Sequence, residues 1–250
     1  MEALGPFELI AAAAAVMAAY AVRGTAGFGG QTVAVPLLTL MLPITAVVPA
    51  VTVLTASSSV VHWLQDWSKI AWREIARLMP FTLLGVLAGL YLFNQFEPRM
   101  LTRALGIFVM LYAGFALLTA SRPVAAPSRW LRLLGPVLSA AAGAIGTVFG
   151  GGAGPLYVIY LSSLRLEKDC FRVTITTILT FQAALRVAGY WRLGFYDASA
   201  LWLIVAGFPM MLIGARLGHY LAGRIDQGRF NLGVGALLMV IGAGLVLKSA

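Results

Sequence analysis

Apolar residues fill long uninterrupted segments of this chain, and polar residues collect in the short stretches between them. A helix needs about 20 apolar residues to cross the hydrocarbon of a bilayer, so segments of this length predict transmembrane helices. Two further apolar pieces are too short to cross alone at ~1.5 Å per residue, and they predict half-helices. The long segments are residues 4–22, 45–65, 76–96, 100–120, 133–149, 172–191, 199–222 and 229–248, and the short pieces are residues 31–42 and 153–163.

Each short piece follows a motif of glycines with one phenylalanine. The first motif is Gly27-Phe28-Gly29-Gly30, and the second is Phe149-Gly150-Gly151-Gly152. Paired glycines break helices, and a broken helix in a bilayer leaves backbone groups that only protein or a water-filled cavity can satisfy. Two breaks at corresponding positions of two halves indicate the binding site of a transporter.

The composition supports an integral membrane protein, because 60% of the 250 residues are apolar and only 11% are charged. The net charge of +9 does not indicate a nucleic-acid partner, since the basic residues stand singly or in threes between apolar segments. The single cysteine, Cys170, excludes an internal disulfide and a multi-cysteine metal site. Residues 4–22 could be read as a signal peptide, but Glu2 and Glu8 favour an uncleaved first span.

The distribution of basic residues predicts the orientation of the chain in the membrane. If the short pieces also cross and the N-terminus lies outside, the basic loops fall on the cytoplasmic side, as the positive-inside rule requires. Both termini are then outside the cytoplasmic membrane. The predicted cytoplasmic residues are Lys69, Arg73, Arg77, Arg122, Arg129, Arg132, Arg165, Lys168, Arg172, Arg224 and Arg229, and the outer loops keep Arg99 beside Glu97 and Arg192 near Asp197.

The chain divides into two similar halves, residues 1–121 and 133–250, joined by a cytoplasmic linker at 122–132. Five segments per half is an odd number, so the second half enters from the opposite side and the repeat is inverted. One constant offset relates four residues of the first half to four of the second. Small residues spaced by four also suit a helix contact, which is the alternative to a functional role. The pairs are Pro80 and Pro209, Gly85 and Gly214, Gly89 and Gly218, and Gly106 and Gly235.

The residues around the two breaks resemble a known family. The run from Gly24 to Leu38 and its echo from Gly146 to Leu156 resemble the TauE/SafE sulfite exporter family, also called the 4-toluene sulfonate uptake permease family. The resemblance covers essentially the whole chain and implies transport of a small anion such as sulfite, a sulfonate or another organosulfur compound. Gln31 stands where the family has the third glycine of the first motif, and this departure leaves the substrate open. The direction of transport is open as well.

The chemistry of the breaks also favours an anion. A helix that starts inside the membrane directs unpaired amides and about half a positive charge toward its N-terminus, and an oxyanion suits that position. The alternative is that the glycines only permit close crossing of helices. The predicted substrate-binding residues are Thr25, Gly27, Gly29, Gly30, Gln31, Thr32, Thr147, Gly150, Gly151 and Gly152, together with Gln182 and Arg186, which share a helical face one turn apart.

Polar residues on the third segment form a stripe on one helical face, within roughly 100° of arc. The stripe either lines a water-filled pathway or hydrogen-bonds within the protein, as membrane Ser and Thr usually do. Arg186 either reaches the site or extends to the membrane interface, and Arg216 and His219 are expected at an interface. The stripe is Thr45, Thr52, Thr55, Ser59, His62 and Asp66, of which Thr52, Thr55, Ser59 and His62 are the predicted pathway residues.

Every acidic residue falls in a loop or at a segment end, so no buried carboxylate is available to carry a proton or sodium ion. The sequence predicts an all-helical polytopic transporter of the inner membrane, with a small anion and membrane lipid as partners, no cofactor, no metal and an unknown oligomeric state. The alternatives are an uptake permease, or a membrane enzyme or scaffold protein. The enzyme alternative has little support, because the motifs of metalloproteases, serine hydrolases and phosphate loops are absent.

Overall fold

The structure is a computed structural model that describes residues 6–26, 30–63, 69–119, 132–164, 166–221 and 227–249. Within these ranges it contains ten helices and no strand, which confirms the all-helical prediction. The helices are α1 (Pro6–Ala26), α2 (Gly30–Thr39), α3 (Ile44–Trp63), α4 (Trp72–Gln95), α5 (Pro98–Thr119), α6 (Gly135–Phe149), α7 (Gly154–Ser162), α8 (Lys168–Arg192), α9 (Ala198–Leu221) and α10 (Gln227–Lys248).

Three of the described helices are long and apolar enough to cross a membrane by themselves: α4, α5 and α9. Four others, α1, α3, α6 and α10, contain apolar stretches that are shorter. Helix α8 is long but carries charged residues near both ends, including Arg186 in its last third. The eight full spans expected from the sequence therefore remain a prediction beyond these three helices.

The two short helices predicted after the glycine motifs are present. Helix α2 has ten residues and α7 has nine, so each spans about half of a bilayer at ~1.5 Å per residue. Helix α6 ends because Gly150 adopts a left-handed conformation with φ of 70°, which glycine enters without steric penalty. Pro155 lies in the first turn of α7, where its missing N–H breaks no helical hydrogen bond.

The most extensive helix contacts join one half of the chain to the other. Helix α1 packs on α9, α4 packs on α6, and α5 packs on α10. Helices α3 and α8 lie against each other between these pairs. The fold therefore interleaves helices from the two halves instead of placing two separate bundles side by side.

Glycines make two of these contacts close enough for backbone to meet backbone. A methyl group added at Gly85 of α4 would overlap the carbonyl of Ala140 in α6, and one added at Gly89 would press on Ala144 further along. Helices α9 and α1 approach each other as closely, because a methyl group at Gly214 would overlap the backbone of Met17 and one at Gly218 would overlap that of Ala21. Contacts advance in the same direction along both helices, so each pair is parallel.

Helices α5 and α10 form the third close pair and run antiparallel. Gly106 near the start of α5 faces Gly242 and Val246 near the end of α10. Gly235 near the start of α10 faces Leu117 near the end of α5. Small residues thus fix the approach of all three of these helix pairs, as expected for helices packed in a membrane.

Candidate functional site

One face of α8 carries three polar side chains that contact α6 or the break that follows it. Gln182, Arg186 and Tyr190 are spaced by four residues, which places them in a row along the helix. Gln182 Nε2 donates a hydrogen bond of 2.8 Å to the carbonyl of Ala142. The hydroxyl of Tyr190 donates to the carbonyl of Thr147, which lies in the last turn of α6. Carbonyls at the end of a helix lack helical partners, so Tyr190 satisfies a group that the break exposes.

Arg186 is the central residue of this row, and its side chain is only 2% exposed. Its Nη2 donates to the hydroxyl of Thr52 in α3 and, at 3.4 Å, to the carbonyl of Gly150. No carboxylate of the described residues forms an ion pair with it, and its Nε has no hydrogen-bond partner. A buried charge without a counter-charge attracts an anion, because burial weakens the screening that water supplies.

The two halves of the chain touch at the glycine break. A methyl group on Gly151 would lie 2.9 Å from the amide nitrogen of Thr32 and 3.1 Å from the carbonyl carbon of Gln31, in the first turn of α2. The amide of Gly152 donates a hydrogen bond of 3.3 Å to the hydroxyl of Thr32. The break of the second half therefore lies directly against the N-terminus of the half-helix in the first half.

Two helix N-termini lie near this contact, and one side-chain donor beside them has no hydrogen-bond partner among the described residues. The first turn of α2 contains Gln31, whose buried Nε2 has no hydrogen-bond partner among the described residues. Helix α7 begins without a side-chain cap. Both ends carry partial positive charge, which adds to the full charge of Arg186. The described part of this region therefore has positive charge and unused donors but no carboxylate.

A third buried donor lies beyond Arg186, in the connection between α8 and α9. The hydroxyl of Tyr196 has no hydrogen-bond partner among the described residues. Burial raises the pKa of this phenol and the neighbouring Tyr190 raises it further, while the charge of Arg186 lowers it. Since burial dominates, Tyr196 remains protonated and keeps an O–H available.

Some of the predicted site residues form hydrogen bonds to backbone carbonyls, and others lie at the contact between the two halves. The side chains of Thr25, Thr147 and Gln182 already donate to backbone carbonyls, at 2.8 Å or less. Gly27 and Gly29 lie outside the described residues. Gly30 begins α2, and Gln31, Thr32, Gly150, Gly151, Gly152 and Arg186 converge on one contact. Their role in binding substrate stays a prediction.

The predicted pathway residues of α3 are hydrogen-bonded where their side chains are described. Thr52 donates to the carbonyl of Val48 at 2.7 Å and accepts from Arg186. Thr55 shares a hydrogen bond of 2.7 Å with the buried hydroxyl of Tyr20. The side chains of Ser59 and His62 lie outside the described part of the chain. Thr52 thus supports Arg186, and the pathway remains a prediction.

The sequence analysis did not single out Tyr190 or Arg23 as residues that lie close to the glycine breaks. Tyr190 continues the four-residue spacing of Gln182 and Arg186 by one more turn, so the signal was present in the sequence. Arg23 lies in the last turn of α1, and its side-chain stem packs against Gly30 at the start of α2. Only the folding of α2 back along α1 brings these two residues together, and no local pattern predicts that.

Comparison with known proteins identifies the family. The family described as Sulfite exporter TauE/SafE matches residues 11–245, nearly the whole chain. The chain belongs to this family. A curated relative from Comamonas testosteroni, described as "Probable inner membrane transporter protein TsaS", is 24% identical over 198 residues, covering 78% of this chain and 80% of the relative. No solved structure matches the chain.

Membership in the TauE/SafE family confirms the resemblance seen in the sequence and makes the chain a multi-pass membrane transporter. The two segments that carried the resemblance to the TauE/SafE family lie against each other, because the α2 N-terminus contacts Gly150-Gly151-Gly152. At this contact the side chain of Arg186 is buried, and no carboxylate of the described residues pairs with it.

Proposed function

We propose that the chain exports a small sulfur-containing anion, such as sulfite or an organosulfonate, across the inner membrane. The observation that carries this proposal is the buried charge of Arg186, which lies beside a glycine break and a half-helix N-terminus and has no carboxylate partner among the described residues. An arginine costs ~2.5–3.5 kcal/mol at the centre of a span and less toward its end, and hydrogen bonds from Arg186 to Thr52 and Gly150 offset part of that cost. A bound oxyanion supplies the missing counter-charge.

The unused donors indicate where the anion binds. Arg186 Nε and Gln31 Nε2 are buried and unsatisfied, and both belong to residues that contact the Gly150-Gly151 segment. We assign these two nitrogens, with the amides of the α2 first turn, to the oxygen atoms of the substrate. Because Gly151 lies against the backbone of Thr32, α2 must move away from the break for substrate to pass, and this contact represents a closed state.

An inverted repeat supports this mechanism. Each half presents the glycines of its fourth helix to the first helix of the other half, in parallel pairs. The fifth helices of the halves, α5 and α10, pair with each other and run antiparallel. A pseudo-twofold axis in the membrane plane relates helices in this way, whereas an axis along the membrane normal would make counterparts parallel. Such repeats allow alternating access around a central site.

The membrane potential supplies a driving force for export. The inside-negative potential drives an anion outward with ~2.3 kcal/mol per charge per 100 mV. No buried carboxylate of the described residues is available as a proton or sodium carrier, which favours this uncoupled mechanism. We place both termini outside, because that orientation collects the basic loops in the cytoplasm.

Flux in proteoliposomes tests the proposal. We expect the purified chain to move sulfite or sulfoacetate saturably, faster when the potential favours anion exit, with taurine and sulfate as comparison substrates. Gly151→Ala should abolish this flux, because its new methyl group presses on the backbone of α2. Gly233→Ala is the matched control, since nothing lies within 4 Å of a methyl group there.

The possible outcomes distinguish site from function. Flux lost in Gly151→Ala but kept in Gly233→Ala supports the site, and the preferred direction decides between export and uptake. Saturable flux unchanged in Gly151→Ala would move the site away from the break. Folded protein that moves none of these anions would overturn the proposed substrate class.

A further inference from the structure

A cavity of about 300 Å³ lies at one end of the helix bundle, away from the glycine break. Four helices have their ends around it: α2 and α10 finish there, and α3 and α5 begin there. Helices that cross the whole hydrocarbon layer end close to its boundary with water, and α5, which begins at this cavity, is long and apolar enough to cross. The cavity is therefore at the depth of lipid headgroups.

Two basic side chains, Arg99 and Lys248, line this cavity together with the hydroxyl-bearing residues Thr39, Thr102 and Ser249. Arg99 is exposed and makes no hydrogen bond or ion pair with any residue that the structure describes. Its guanidinium thus has up to five N–H donors available to a ligand. Among the residues that the structure describes, none with an acidic side chain lines the cavity.

Lys248 is held in place by the end of α2. Its Nζ donates hydrogen bonds of 2.8 Å to the carbonyl of Leu40 and 3.2 Å to the carbonyl of Thr39. These bonds satisfy carbonyls at a helix C-terminus, where a cation is favoured. A lysine ammonium has three donors, so one remains for a ligand. Lys248 is therefore a preorganised cation at the mouth of the cavity.

The rest of the lining is apolar. Met41, Leu42, Pro43 and Ile44 form one wall between α2 and α3. A cavity with two cations at the membrane boundary and an apolar wall suits a ligand that carries an oxyanion beside apolar groups. An anionic phospholipid has this chemistry, because its phosphate lies directly above the acyl chains.

We propose that this cavity binds a phosphate-type oxyanion through Arg99 and Lys248, with the headgroup of an anionic phospholipid as the first source and a free oxyanion as the second. The site is distinct from the transport site, since α2 runs from this cavity at its C-terminus to the glycine break at its N-terminus. The inference does not depend on the identity of the transported anion.

Lipid retention measured by native mass spectrometry tests this inference on the full chain. Wild-type protein is purified in detergent and incubated with phosphatidylglycerol, and separately with phosphatidylcholine. We expect phosphatidylglycerol to bind at least about tenfold more weakly to Arg99→Gln, because a charge-assisted hydrogen bond is lost. The expected order is wild type, then Arg99→Gln, then the double variant Arg99→Gln with Lys248→Gln.

Two controls keep the result interpretable. Arg192→Gln removes an exposed arginine from the end of α8, outside the cavity, and should bind as wild type does. Arg99→Gln breaks no hydrogen bond within the described residues, so it should fold even if loss of the Lys248 cap destabilises the double variant.

Inorganic phosphate and sulfate identify the source of the oxyanion. A shift in Tm with either salt that disappears in Arg99→Gln supports the cavity as a site for a free oxyanion. Selective retention of phosphatidylglycerol without such a shift supports the lipid headgroup. Equal binding of all these probes by wild type, Arg99→Gln and Arg192→Gln would overturn the proposal.

Discussion

The sequence leaves the position of the Arg186 side chain open, and the fold defines that position. The sequence predicted a shared face with Gln182 but left open whether the guanidinium reaches the interface or the interior. The structure buries its side chain against Thr52 and Gly150, and its role in binding substrate stays a prediction. The partners could not be predicted, because α3 and the break are distant in sequence and meet only in the folded chain.

Tyr190 provides a prediction at the same scale. Tyr190→Phe removes the hydroxyl that satisfies the carbonyl of Thr147 and leaves that buried carbonyl without this partner. We expect the free energy of unfolding to fall by about 1–3 kcal/mol. Tyr91→Phe is the control, since Tyr91 is 66% exposed and should tolerate the change. Equal effects of both substitutions on Tm would show that the Tyr190 bond does not stabilise the break.

At the scale of helices, local sequence signals predicted where elements begin and end but not which elements pair. The glycine motifs predicted the short helices α2 and α7, because paired glycines end one helix before the next begins. The recurring Gly85, Gly89, Gly214 and Gly218 were expected to make helix contacts, and they do. Their partners in α6 and α1 were not predictable, because a glycine pattern indicates that another helix approaches closely but does not indicate which helix it is.

The equivalence of these contacts gives a test of the repeat. Gly85→Ala and Gly214→Ala each place a methyl group against a backbone carbonyl of the facing helix. We expect each to lower the free energy of unfolding by about 1–3 kcal/mol or more, because a packed backbone cannot move aside cheaply. Gly114→Ala is the control, with its nearest contact at 3.7 Å. Thermal unfolding in detergent measures all three, and a large effect at only one of the two glycines would contradict an equivalent architecture.

At the scale of the whole molecule, the directions of the paired helices indicate how the two halves are oriented relative to each other. The parallel pairs across the halves and the antiparallel pair of α5 and α10 fit our proposal that the halves enter the membrane from opposite sides. The distribution of basic residues, together with the five segments in each half, predicts the same relation. Two independent physical signals, steric and electrostatic, therefore support one topology.

Labelling of single cysteines tests this topology. In a Cys170→Ser background, we expect a membrane-impermeant thiol reagent to label Arg192→Cys in intact cells and to label Arg73→Cys only after lysis. Both positions are exposed at the ends of helices, so reactivity reports the side of the membrane. Labelling of Arg73→Cys in intact cells, with Arg192→Cys protected, would reverse the proposed orientation.

The most direct test of the account is equilibrium binding of radiolabelled sulfite to purified wild-type, Arg186→Gln and Arg192→Gln protein. The account predicts saturable binding to wild type and to Arg192→Gln, and binding at least about tenfold weaker to Arg186→Gln, because the buried cation and its charged hydrogen bonds are lost. Sulfoacetate serves as the second probe if sulfite does not bind. Equal binding of either anion to all three folded proteins would contradict the placement of the anion site at Arg186.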